Sequence, residues 1–153
     1  MRADIEHLPV QPSCFDTVIC LEVLEYVPNP KSALRELLRV LKPEGTLIIS
    51  SPFLHRADTP TDRWRFTEHG LWSLLEEAGF KVQEVRQQGG ALAVAANILK
   101  FAVSRVEARL LRYALGLVTY APLMTLIRFD GRAARRLPVL NSFSTGFLVV
   151  AVK

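Results

Sequence analysis

The sequence predicts an α/β fold, on three observations. Two short apolar runs rich in β-branched residues, Phe15–Leu21 and Thr46–Ser51, bracket a stretch of helical periodicity. That order makes a βαβ unit, which implies parallel pairing of the two strands and a right-handed crossover. A further apolar run, Gly146–Val152, reads as the last strand.

Each element carries its own signal. The run Phe15-Asp-Thr-Val-Ile-Cys-Leu21 follows Pro12-Ser13 and stops at Glu22. Asn29-Pro30 supplies a helix cap and a proline at the first helical position. Leu34, Leu37, Leu38 and Leu41 fall on one face, and Pro43-Glu44-Gly45 ends that helix. Pro52 stops the second strand, and residues 53–66 form a polar, proline-containing loop. Thr67 caps a helix through Ala78, with Leu71, Leu74, Leu75 and Ala78 aligned and Gly79 at its end. Phe80 to Arg86 alternates as a third strand. The mostly apolar stretch from Ala91 to about Phe129 reads as helix, kinked or divided by Pro122.

The 153 residues suffice for a single domain, with 91–136 as an apolar and basic helical insertion within it. Half of them are apolar and 22% are charged, a globular mix that argues against disorder. Lysines and arginines outnumber acids by 19 to 15, and the excess is unevenly placed. Residues 1–80 carry 8 basic and 12 acidic side chains, whereas residues 81–153 carry 11 and 3. The two cysteines, Cys14 and Cys20, make neither a disulfide framework nor a four-thiolate metal site. The three histidines show no metal-ligand spacing. The N-terminus has no apolar h-region, so the expected location is cytoplasmic. The charge-free stretch Tyr113 to Ile127, interrupted by Pro122, is shorter than the roughly 18–20 residues of a spanning helix.

Three ordered segments carry a family resemblance. Asp4-Ile-Glu-His-Leu-Pro9 is followed by Phe15-Asp16; Leu21-Glu-Val-Leu-Glu-Tyr-Val27 precedes Pro28-Asn-Pro30; Arg39-Val-Leu-Lys-Pro-Glu-Gly45 leads into the second strand. Together they resemble the second half of a class I S-adenosylmethionine-dependent methyltransferase, with Tyr26 in place of a histidine and Glu44 in place of a glycine. Asp62-Arg-Trp-Arg-Phe-Thr67 and Ala78-Gly79-Phe80 resemble a bacterial subgroup of that family. The resemblance implies a partial Rossmann-like sheet with flanking helices, the 91–136 insertion lying before the last strand. It also implies S-adenosylmethionine as cofactor.

The family's glycine-rich turn has no counterpart here: the eight glycines include no G-x-G. The sequence accordingly resembles the C-terminal portion of the domain, and the expectation is a chain inactive by itself. Strand 15–21 would then present an unpaired apolar edge, the expected seat of a homodimer.

By the resemblance, Asp4 accepts a hydrogen bond from the adenine amino group and Ile5 offers its backbone N–H to the ring. Cys20, Leu21 and Glu22 lie at the C-terminal end of a parallel strand, where open α/β sheets bind ligands. Glu22 either contacts the cofactor or orients a nucleophile, and Tyr26 either positions a substrate or wedges a loop. His55 is the foremost base candidate because its unperturbed pKa is near neutral, with Glu22 as the second. Arg63 and Arg65 suit a carboxylate or phosphate on a small-molecule or glycan-type acceptor. They equally suit structural pairing with Asp58, Asp62 or Glu68. The acceptor and the methylated atom are left open.

A non-catalytic reading rests on 91–136. Arg105, Arg109 and Arg112 fall at helical spacing as a basic stripe, and Arg128, Arg132, Arg135 and Arg136 follow. Such a helix suits peripheral contact with the inner membrane surface, or it covers the sheet or a substrate pocket. A nucleic-acid partner is not expected, because the basic half lacks interleaved aromatics.

Overall fold

The computed structural model describes residues 3–57 and 59–153, and leaves aside the side chains of Ala134, Arg135, Pro138 and Asn141. Asp58 and the Arg135 side chain, both named above, therefore lie outside the described residues. The chain forms two compact units, Met1–Arg86 with Gly146–Lys153, and Gln87–Thr145.

The first unit is a four-stranded sheet in the order β1-β2-β4-β3, with β1 at Phe15–Leu21, β2 at Leu41–Pro52, β3 at Lys81–Gln88 and β4 at Gly146–Val152. The strands β1 and β2 run parallel, Cys20 opposite Ile49, and β2 pairs antiparallel with β4, Ile49 opposite Val149. Helix α1, Pro30–Val40, supplies the crossover; the Asn29 side chain accepts the Ser32 N–H, a cap worth about 1 kcal/mol. Helix α2, Glu68–Ala78, is capped by the Thr67 hydroxyl and ends on Gly79 at φ +106°. Leu34, Leu37, Leu71 and Leu75 bury these helices against Leu47, Ile49, Val149 and Ala151 of the sheet.

The second strand starts earlier than its apolar run. Helix α1 ends at Val40 and the chain is already extended at Leu41, with a bulge that brings Phe15 opposite Leu41 but Thr17 opposite Thr46. Glu44 turns that bulge at φ +61°, a left-handed conformation that glycine adopts without steric cost. The family-like residues explain one another here. Lys42 pairs with Asp16 at 2.8 Å, and Arg39 binds Glu36 while donating to the carbonyls of Leu8 and Val10. The Glu36 carboxylate also accepts the Leu8 N–H at 2.8 Å, so α1 anchors the segment that carries Asp4 and Ile5. At the edge of the sheet, β1 leaves Phe15, Ile19 and Leu21 exposed.

The second unit is a pair of packed helices, α3 at Ala91–Ser104 and α4 at Arg109–Arg136. The Asp130 carboxylate of α4 accepts the backbone N–H groups of Gly90 and Leu92, satisfying donors at the start of α3. The structure corrects the sequence reading twice in this unit. The apolar stretch breaks at residues 105–108, not at Pro122, which lies inside the continuous helix α4. Arg105 is consequently the C-terminal cap of α3, while Arg109 opens α4, so Arg105, Arg109 and Arg112 do not form one helical stripe. One described helix, over Arg109–Ala133, is long and apolar enough to cross a membrane.

Candidate active site at the C-terminal ends of β1 and β2

Where β1 ends, Glu22 takes φ +53°, a conformation that non-glycine residues hold only when their surroundings enforce it. Ser50 on β2 does the enforcing. Its carbonyl and its hydroxyl oxygen each accept the Glu22 N–H at 3.2 Å, and its hydroxyl donates to Glu22 Oε1 at 2.7 Å. The Glu22 side chain is thereby fixed at the strand ends while remaining exposed.

Immediately after it, the short 3-10 turn Leu24–Tyr26 buries both Leu24 and Glu25. The loop that follows β2 closes over this turn. The Glu25 carbonyl accepts the N–H groups of Arg63 at 2.8 Å and Trp64 at 3.3 Å, and the Trp64 indole donates to the Val27 carbonyl at 2.8 Å. Arg65 grips Asp62 through both guanidinium nitrogens and donates to the Arg56 carbonyl at 3.1 Å. The Asp62–Arg65 pair thus clamps its own loop, and the Arg63 and Trp64 bonds between them tie that loop to the turn after β1.

Glu25 is the unusual group. It is 1% exposed, and its Oε2 has no hydrogen-bond partner among the described residues. Burial raises its pKa above the ordinary carboxylate value, Glu22 and Asp62 add to the rise, and a backbone hydrogen bond and Arg65 oppose it. Burial, with a smaller push from Glu25, likewise drives the Cys20 thiol up to about 11, so Cys20 lines the site as a protonated, unreactive thiol. The Ser51 hydroxyl, also buried, likewise has no hydrogen-bond partner among the described residues.

The sequence-derived candidates fall into three groups. Cys20, Leu21, Glu22 and Tyr26 sit together at the end of β1. Arg65 pairs with Asp62, whereas the exposed Arg63 guanidinium has no partner among the described residues. His55 is exposed on the same loop, its Nδ1 3.0 Å from the Arg56 carbonyl oxygen. Asp4 closes its own turn, its carboxylate accepting the Glu6 N–H at 3.0 Å, and Ile5 packs against the core. Sequence reasoning missed Glu25, Ser50 and Trp64. A glutamate between Leu24 and Tyr26 was the available signal, but its burial is a tertiary property. Among the described residues, no group of three or more metal-ligating side chains assembles.

Comparison with known proteins finds methyltransferases. Residues 1–49 match the family described as a methyltransferase domain. A ubiquinone biosynthesis O-methyltransferase of Xanthomonas campestris pv. campestris is 49% identical over 41 residues, covering 27% of this chain and 17% of the relative. A protein of Mycolicibacterium smegmatis named as a probable S-adenosylmethionine-dependent methyltransferase is 33% identical over 95 residues, covering 54% of this chain and 37% of its own length. The matched segment is similar to class I S-adenosylmethionine-dependent methyltransferase domains.

The methyltransferase fold extends further than the sequence match. The cyclase SpnF superposes with a TM-score of 0.60 at 20% identity, covering 99% of this chain and 54% of its own. A phosphoethanolamine N-methyltransferase of Haemonchus contortus, solved with S-adenosylhomocysteine, gives 0.56 at 14%, covering 98% and 36%. These likenesses establish the fold alone, and a cyclase among them shows that the fold does not dictate the reaction. S-adenosylmethionine is the cofactor of the methyltransferase family. This chain spans well under half the length of the curated relatives named here.

Proposed function

We propose that this chain supplies the adenine-side wall and the acceptor-side loop of an S-adenosylmethionine-dependent O-methyltransferase. The observation that carries the reading is Glu22, held in a left-handed conformation by Ser50 at the C-terminal end of a parallel strand, where α/β sheets bind their ligands. The likeness over 41 residues to a ubiquinone biosynthesis O-methyltransferase supports a hydroxyl acceptor.

The residues suit the cofactor's chemistry. Glu22, Glu25 and Asp62 gather carboxylates within electrostatic reach of one another, which favours a cationic ligand, and Glu25 Oε2 is a buried acceptor with no hydrogen bond among the described residues. S-adenosylmethionine supplies an electrophilic methyl group on a sulfonium. On this reading Asp4 and Ile5 meet the adenine, Cys20 and Leu21 line the pocket, and Glu22 accepts a hydrogen bond from the cofactor. His55 takes the proton that the acceptor hydroxyl loses as its oxygen gains the methyl group. Arg63 and Tyr26 orient the acceptor, while Trp64 and the Arg65–Asp62 pair hold their loop closed on the turn.

Calorimetric titration of S-adenosylhomocysteine into the protein tests the reading. Wild type is expected to bind, and Glu22→Ala to bind roughly 10- to 100-fold more weakly, the loss of a hydrogen bond to a charged group. Glu84→Ala, on β3, serves as the control with unchanged affinity. Equal affinities of wild type and Glu22→Ala would remove Glu22 from the site, and absence of wild-type binding would contradict the proposal.

A further inference from the structure

We propose that the helical pair α3–α4 seats this protein on a lipid bilayer bearing anionic headgroups, with α4 lying along the interface. The first ground is the character of α4. Its most apolar part has a mean hydropathy of 1.5 and is only 6% buried, unlike the core helix of a globular domain. Leu110, Leu117 and Val118 are 86%, 83% and 71% exposed, and Tyr113 and Tyr120 stand beside them. Contiguous apolar exposure on this scale marks an interaction surface.

The second ground is charge. Arg105, Arg109 and Arg112 gather at the turn between the helices, and Arg128, Arg132 and Arg136 at the far end of α4. At each end an arginine lies over an aromatic ring, Arg109 over Tyr113 and Arg132 over Phe129. Aromatic rings and long basic side chains are the residues that occupy a membrane–water interface, and they complement anionic headgroups. The third ground is polar bookkeeping within the helix. The hydroxyls of Thr119 and Thr125 donate back to the carbonyls of Leu115 and Ala121, at 2.7 and 2.8 Å, so neither presents an unsatisfied donor to an apolar medium.

Charge placement decides between lying and spanning, since α4 as a whole is long enough for either. The charge-free stretch Tyr113–Ile127 covers about 22 Å at 1.5 Å per residue, short of a hydrocarbon core of about 30 Å. Arginine clusters at both ends of so short a stretch reach one headgroup layer together when the helix lies in the interface. This interface reading does not depend on cofactor binding.

Flotation of the full chain with vesicles, without cofactor, tests the proposal. Vesicles of phosphatidylcholine mixed with phosphatidylglycerol are expected to capture the protein, and phosphatidylcholine alone to capture far less. Each of Arg128→Gln and Arg132→Gln is expected to weaken capture about fivefold, the equivalent of one basic residue at an anionic surface. Leu117→Asp combined with Val118→Asp is expected to abolish it; both sites are exposed, and circular dichroism checks that the helices persist. Capture independent of lipid charge, or unchanged in the aspartate variant, overturns the proposal. So does a folded wild type that ignores both vesicles and instead self-associates through α4, with the aspartate variant monomeric.

Discussion

Replacing Ile49 by alanine is expected to lower the unfolding free energy by about 2–5 kcal/mol, the range for truncating a fully buried aliphatic side chain. Ile49 has no exposed surface and stands in the central strand pair, opposite Cys20 on β1 and Val149 on β4. Helices α1 and α2 pack on the same core through Leu34, Leu37, Leu71 and Leu75, so the cavity has little room to collapse. Ile48, one position earlier and only half-buried on the opposite face, is expected to cost clearly less when truncated. Denaturant midpoints of the two variants check the assignment of faces. The consequence reaches the site, because Ser50 follows Ile49 directly and holds Glu22 in its left-handed conformation.

The second large effect concerns Glu25. Its folded-state pKa is raised above the unfolded one, chiefly by burial. A group of that kind contributes stability that is present below its unfolded pKa and is lost as the pH rises through its folded pKa. Glu25→Gln removes that loss. The variant is therefore expected to gain stability relative to wild type as the pH rises from below the ordinary glutamate pKa towards neutrality. The gain is expected because an ionised carboxylate buried without a partner costs more than a neutral amide in the same place. Thermal midpoints across that pH range check it, and a difference independent of pH contradicts the burial argument. If Glu25 serves the ligand, the stabilised variant is also expected to bind S-adenosylhomocysteine more weakly, since functional sites retain such costs.

How much of this was legible in the sequence depended on the range of the interaction. Asn29-Pro30, Thr67 and Gly79 signal helix ends through bonds to atoms three or four residues away, and they lie where their chemistry requires. The family-like segments were legible as patterns, but their reasons were not. Lys42 with Asp16, and Arg39 with the carbonyls of residues 8 and 10, are pairings across roughly thirty residues that no local periodicity shows. The early start of β2 was hidden because Glu44 adopts a conformation expected of glycine. The break at residues 105–108 was hidden for the opposite reason. No glycine or proline marks it, and the helix ends through the Arg105 and Val106 N–H groups bonding back to the Ala102 and Val103 carbonyls. Glu25 escaped notice since a glutamate in a polar turn is ordinarily solvated, and only the loop pinned by Trp64 and Arg65 covers it.

The central claim is that a cofactor site lies at the C-terminal ends of β1 and β2. The most direct measurement is the amide spectrum of isotope-labelled protein titrated with S-adenosylhomocysteine. The largest shifts are expected at Cys20, Leu21 and Glu22, with further changes at Arg63 and Trp64, which bond to the turn after β1. Shifts confined to residues 87–145, or none at saturating ligand, would contradict it.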